Sequence, residues 1–114
     1  MKKIKLFFSF FIIQITSFCS SYVGTNAVTF ETGEELFLKN CAVCHIQGSN
    51  VIIPEKNLKK EALEENGMNN LNAITYQILN GKNGMPAFGE RLGENEIEMI
   101  AKYVLEQSET NFQK

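Results

Sequence analysis

The sequence predicts an all-α domain, and three observations carry that expectation. Residues 94–107 set Ile97, Ile100, Ala101, Val104 and Leu105 at helical spacing with acidic residues between them. No stretch beyond residue 28 alternates apolar and polar residues with enough β-branched side chains to build a sheet. Glycine and asparagine punctuate the chain at the points where helices of ordinary length would start and stop.

The 114 residues are 44% hydrophobic and 21% charged, a balance that suits one small globular domain and leaves no room for two. Their 11 basic and 13 acidic side chains give a net charge of −2. A nucleic-acid binder needs a clustered basic surface, so that class is disfavoured. The basic residues are also unevenly placed. Lys2, Lys3 and Lys5 precede the apolar run 6–13, and a stretch rich in Ser, Thr, Gly and Asn then leads to Ala27. These are the three regions of an export signal, expected to be cut after Ala27; the apolar run is shorter than the roughly 20 residues that span a bilayer. A retained anchor is the alternative. Cys19 falls in the removed segment, and bulky Phe18 before it argues against lipid attachment. The expected mature domain, residues 28–114, keeps 8 basic and 13 acidic groups, a net charge of −5.

Within it, Thr29, Thr32 and Gly33 open a helix over 31–40 that runs into Cys41, with acidic residues in its first turn. Residues 46–56, around Gly48 and Pro54, read as an ordered loop. Asn57 is expected to cap a helix over 58–66 that Gly67 stops. Asn69 or Asn70 caps the next, 71–79, which ends at Asn80-Gly81. Residues 81–93 contain four glycines and a proline, so they form a loop before the last helix.

The chemistry is concentrated in Cys41-Ala42-Val43-Cys44-His45. C-x-x-C-H is the pattern of covalent c-type haem attachment, in which two thiols add to the haem vinyl groups and the adjacent imidazole ligates iron. On one helical turn, residues i and i+3 share a side, so both sulfurs can meet one ring edge. Three rivals fit less well. A thioredoxin-like dithiol needs a βαβ context, a zinc site needs more donors than a chain with one histidine supplies, and a disulfide across three residues closes too small a loop to stabilise much.

The sixth iron ligand must then come from methionine, or the position is open. Met99 falls in the amphipathic last helix, and Met68 follows Gly67 at a helix boundary. Met85 lies in Asn83-Gly84-Met85-Pro86-Ala87-Phe88-Gly89, where Pro86 steers Met85 away from helical backbone and removes a donor. Met85 is the expected ligand. Iron held by His45 and Met85 has no vacant position, which leaves one-electron exchange as its chemistry.

The haem motif, the loop from Gly84 to Gly89, Asn50-Val51-Ile52-Ile53-Pro54 and Ile100-Ala101-Lys102-Tyr103-Val104 together resemble cytochrome c6, a class I c-type cytochrome family of algal and cyanobacterial photosynthesis. The resemblance spans essentially the whole of residues 28–114. It implies about four helices around one covalent haem c, with the first and last crossing so that Gly33 and Phe37 meet Ile100 and Tyr103. It implies haem-edge contacts from Asn50, Lys56, Gln77 and Arg91, the last a candidate for a propionate. It also implies a carrier between the cytochrome b6f complex and photosystem I in the thylakoid lumen of a plastid or cyanobacterium. A respiratory carrier, or a haem enzyme or sensor with a labile methionine, is the alternative. The chain departs from the commonest family form at Gly84, before the methionine, and at Glu90, after Gly89.

Overall fold

A computed structural model describes residues 30–113, and the expected export signal with Cys19 lies outside them. Five helices follow one another: α1, Gly33–Asn40; α2, Ala42–His45; α3, Lys60–Glu65; α4, Leu71–Asn80; and α5, Glu94–Ser108. Single 3-10 turns occur at Ile46–Gly48 and Pro54–Lys56. The only β pairing among the described residues is an isolated bridge between Lys82 and Met85. The fold is all-α. It has five helices rather than about four because the haem motif forms its own turn, α2, after a break at Cys41 (φ −116°, ψ −33°).

Helix α1 begins at Gly33 rather than at Glu31, because Thr32 takes the cap. Its hydroxyl accepts from the Glu35 N–H at 3.2 Å, and the Glu35 carboxylate accepts from the Thr32 N–H at 2.7 Å. This reciprocal pair satisfies two otherwise unpaired donors and stabilises the helix start by about 1 kcal/mol. The bonds from Thr32, backbone first and side chain second, hold the Glu35 carboxyl below its ordinary pKa.

Helices α1 and α5 cross as expected. A Cβ on Gly33 would overlap the Met99 carbonyl oxygen and lie 3.1 Å from Tyr103 Cβ, so only glycine lets the backbones approach this closely. One turn on, the rings of Phe37 and Tyr103 stand 5.3 Å apart. Leu36, Phe37, Ile97, Ile100, Ala101 and Val104 are buried here, and Ile74 and Ile78 join them from α4, which packs along another side of α5. Burying aliphatic side chains of this size stabilises by about 1.5–3 kcal/mol each, so the crossing is the main anchor of the fold.

Helix α3 corrects one expectation. Asn57 is not its cap: the Asn57 side chain accepts from the Lys59 N–H at 3.0 Å and donates to the Pro54 carbonyl at 2.9 Å, closing a turn of its own before the helix starts at Lys60. The Lys60 N–H is satisfied instead by Asn111 Oδ1 at 3.2 Å, from far along the chain. Asn70 does cap α4, accepting from the Ala73 N–H at 2.9 Å. Glu96 accepts from the Gly93 N–H at 2.7 Å and so closes the start of α5.

After α5 the chain hooks back. Asn111 and Phe112 both adopt left-handed backbone (φ +52° and +59°), and the Phe112 N–H bonds the Gln107 carbonyl at 2.9 Å. Phe112 packs its ring tilted on Phe37 and edge-on to Tyr103, at 5.9 and 6.4 Å between centroids, and presses on Gly48. Two non-glycine residues in this region are costly, and the aromatic cluster and the Asn111 bond to α3 offset that cost.

Candidate haem-binding site

A cavity of about 350 Å³ opens where α1, α2, α4 and the 81–88 loop meet. That volume lies within the range of small-molecule and cofactor sites, about 300–1,000 Å³. Cys41, Cys44, His45, Gln77, Met68 and Met85 all line it, among apolar side chains that include Phe37, Leu58, Ile74, Ile78, Phe88 and Val104. Residues remote in sequence thus bring two thiols, an imidazole and two thioethers to one apolar space.

The break at Cys41 turns the motif into the cavity. The Cys41 N–H still bonds Phe37 in α1, while the Cys44 and His45 N–H groups both reach the Cys41 carbonyl, at 3.1 and 2.9 Å. Both thiols are free and partly buried. Burial pushes the Cys41 thiol up to about 11, so it is protonated at neutral pH. The described residues contain no group of three His, Cys, Asp or Glu side chains gathered as a metal cage.

His45 Nδ1 lies 2.9 Å from the Ser49 carbonyl oxygen. A carbonyl only accepts, so the proton sits on Nδ1 and Nε2 keeps its lone pair for iron. Ser49 is itself fixed, its N–H and hydroxyl both donating to the Ile46 carbonyl at 3.0 and 2.6 Å. The turn leading there passes through Gln47 and Gly48 in left-handed conformation (φ +50° and +73°), with Phe112 against Gly48 and the Gly48 carbonyl accepting from the Leu58 N–H at 2.7 Å. The C-x-x-C-H pattern does not reveal this partner, because it is a backbone oxygen. The only local signal is Gly48, three residues past the histidine.

Met85 is held differently. Lys82 and Met85 exchange N–H···O bonds at 3.0 Å, and the Phe88 and Gly89 N–H groups bond the Ile78 and Leu79 carbonyls at the end of α4. Gly81, with φ +66°, ends that helix; a Cβ there would lie 2.6 Å from Met85 O and Ala87 N. Gln77 places its Nε2 3.8 Å from Met85 Sδ, a weak contact that orients the thioether. Met68 lines the same cavity, whereas Met99 packs against the core from α5.

The four expected edge contacts separate. Gln77 lies against the methionine sulfur. Asn50 lines the cavity but spends its side chain on its own loop, accepting from the Ile52 and Ile53 N–H groups and donating to the Lys56 carbonyl. Lys56 also lines it, with its amine bonded to Asn66 Oδ1. Arg91 is not among the lining residues; its guanidinium carbon stands 5.0 Å from the centroid of the Phe88 ring.

An all-α fold with a C-x-x-C-H turn, a fixed histidine tautomer and methionines in one apolar cavity defines the class of c-type haem proteins. The family model described as cytochrome c oxidase, cbb3-type, subunit III matches residues 28–104. Cytochrome c6 of Bumilleriopsis filiformis is 65% identical over 79 residues, which cover 69% of this chain and 92% of that one. Cytochrome c6 of Gracilaria tenuistipitata var. liui is 48% identical over 108 residues, 95% of this chain and 99% of that one. The crystal structure of cytochrome c6 from the diatom Phaeodactylum tricornutum superposes with a TM-score of 0.67 at 49% identity, covering 69% of this chain and 93% of that one. The chain belongs to the c-type cytochrome family of that model and to the cytochromes c6. It is an electron carrier with one covalently bound haem c. No helix among the described residues is long and apolar enough to cross a membrane.

Proposed function

We propose that Cys41 and Cys44 would hold the haem through thioethers, that His45 Nε2 and Met85 Sδ would ligate its iron, and that the protein shuttles electrons from the cytochrome b6f complex to photosystem I. When bound, the haem supplies reversible one-electron chemistry at its iron. The chain's own residues do the rest. Ser49 keeps the imidazole tautomer fixed, Gln77 and the Lys82–Met85 pairing hold the thioether, and Phe37, Ile74, Ile78 and Phe88 exclude water and so lower the local dielectric. The observation that carries this reading is that His45, Met85 and both cysteines line one cavity.

The partners are the family's, reached in the thylakoid lumen after an export signal over residues 1–27 is removed. A net charge of −5 on residues 28–114 steers the carrier to a basic docking site, an attraction screened over about 8–10 Å at physiological salt.

Two measurements test the proposal. Denaturing mass analysis of protein from cells competent in haem attachment should give the polypeptide plus one haem, with none bound to a Cys41→Ala/Cys44→Ala variant. Flash-induced reduction of photosystem I by the ferrous protein should be fast at low salt and slow as salt rises. No reduction of photosystem I would point to the respiratory alternative.

A further inference from the structure

Three asparagines in the domain precede glycine: Asn66-Gly67, Asn80-Gly81 and Asn83-Gly84. In this dipeptide the glycine nitrogen can attack the asparagine Cγ, because no side chain shields it. A C–N bond forms, the side-chain amide leaves as ammonia carrying the backbone proton, and a succinimide results. Water then opens the ring to aspartate or isoaspartate. No oxidant or reductant is needed. What decides the rate in a folded protein is whether the attacking N–H and the side-chain amide are free to meet.

The three sites differ in that respect. The Gly67 N–H donates to the Glu64 carbonyl at 3.1 Å and the Asn66 amide donates to the Ala62 carbonyl at 2.6 Å. The Gly81 N–H donates to Gln77 at 2.8 Å and the Asn80 amide to Tyr76 at 2.9 Å. At the third site neither the Gly84 N–H nor the Asn83 amide has a hydrogen-bond partner among the described residues, and both residues are exposed. Asn83 also has φ +53° while Gly84 does not fall in the left-handed region. Asn83 lies in a two-residue turn closed by Lys82 and Met85, with its side chain exposed.

We propose that Asn83-Gly84 is a spontaneous deamidation site, selected over the other two by the fold, which converts the carrier into a form with one more negative charge beside Met85. The conversion acts on the Met85 loop in two ways. The aspartate product sets a carboxylate next to Lys82 at the cavity mouth, which favours the oxidised state and lowers the potential. The isoaspartate product adds a methylene to the backbone between Lys82 and Met85, so the two can no longer exchange both 3.0 Å bonds in register. The effect on ligation rests on Met85 being the iron ligand; the site selection does not.

The test is incubation of the purified holoprotein in mildly alkaline buffer, followed by peptide mass mapping and enzymatic isoaspartate labelling. Asn83 should be converted about tenfold faster than Asn66 or Asn80, since two hydrogen bonds must break at each of those sites before attack. In denaturant the three rates should converge. Gly84→Ala should remove conversion at Asn83 while the chain still folds, because a Cβ there meets only Ile52 carbons at 3.5 Å and the backbone is not left-handed. Equal rates in the folded protein, faster loss at Asn66 or Asn80, an unchanged ratio in denaturant, or an intact Asn83 would each overturn the proposal. If Asn83 is converted but the iron spectrum of the isoaspartate fraction stays unchanged, the site stands and the coupling of its conversion to Met85 ligation fails.

Discussion

His45 and Met85 enter the same cavity from segments of opposite construction. The histidine rides on a helical turn and is oriented by Ser49, four residues on, through a carbonyl whose turn is packed by Phe112. The methionine rides on a loop with no helix of its own and is oriented by α4, through Gln77, Ile78, Leu79 and the Gly81 backbone. The imidazole therefore depends on a short local turn with a remote prop, and the thioether depends on a rigid neighbouring helix. Damage to each region should look different.

The same substitution made in both regions should show it most strongly. Gly81→Ala forces a left-handed alanine and drives its Cβ to 2.6 Å from the backbone of Met85, Pro86 and Ala87, none of which can rotate away. The expected cost is about 2–4 kcal/mol in denaturant unfolding of the holoprotein, with loss of methionine ligation in the ferric spectrum. Gly48→Ala meets a ring instead of backbone. The Phe112 ring is a side chain that can turn aside, so the cost should be nearer 1–2 kcal/mol, with methionine ligation intact. The double variant Gly48→Ala/Phe112→Ala should then cost less than the two single changes added together, measured as a double-mutant cycle.

These two regions were unequally legible in the sequence. Cys41, Cys44 and His45 could be read directly, because covalent attachment requires a fixed spacing. Met85 could be singled out because proline and glycine shape the loop around it. The α1–α5 crossing of Gly33 and Phe37 with Ile100 and Tyr103 followed from the family resemblance rather than from the residues alone. What holds the His45 and Met85 side chains in place was not legible. Ser49 acts through its carbonyl, which every residue has, and Gln77 reaches Met85 only because the loop folds back on α4. Asn57 has the chemistry of a cap, yet its side chain closes a turn of its own and Asn111 satisfies α3 from the C-terminal hook. The hook had no sequence signal, since its left-handed Asn111 and Phe112 are stabilised only by tertiary contacts.

A smaller effect should separate both regions from the rest of the fold. Thr32→Ala removes the α1 cap and should cost about 1 kcal/mol while leaving the haem spectrum unchanged. The partner in that cap, Glu35, is held below its ordinary pKa, so its contribution is present above the unfolded-state pKa and is lost as pH falls through the lower folded-state value. The difference in stability between the wild type and Glu35→Gln should accordingly shrink on acidification below the usual carboxylate range, followed by urea unfolding across that interval. The exposed Lys60–Glu109 pair at 2.7 Å should matter least, its removal by Glu109→Gln leaving the unfolding midpoint nearly unchanged and the same at high salt.

The central claim is that one histidine and one particular methionine meet on the iron, and the cavity offers two methionines, Met85 and Met68. The most direct test is the methionine-to-iron charge-transfer band of the ferric protein, recorded for the wild type, Met85→Ala and Met68→Ala. The band should be present in the wild type and in Met68→Ala and absent in Met85→Ala, whose potential should also fall. Loss of the band in Met68→Ala with retention in Met85→Ala would contradict the assignment and, with it, the role given to Gln77 and the Lys82–Met85 pairing.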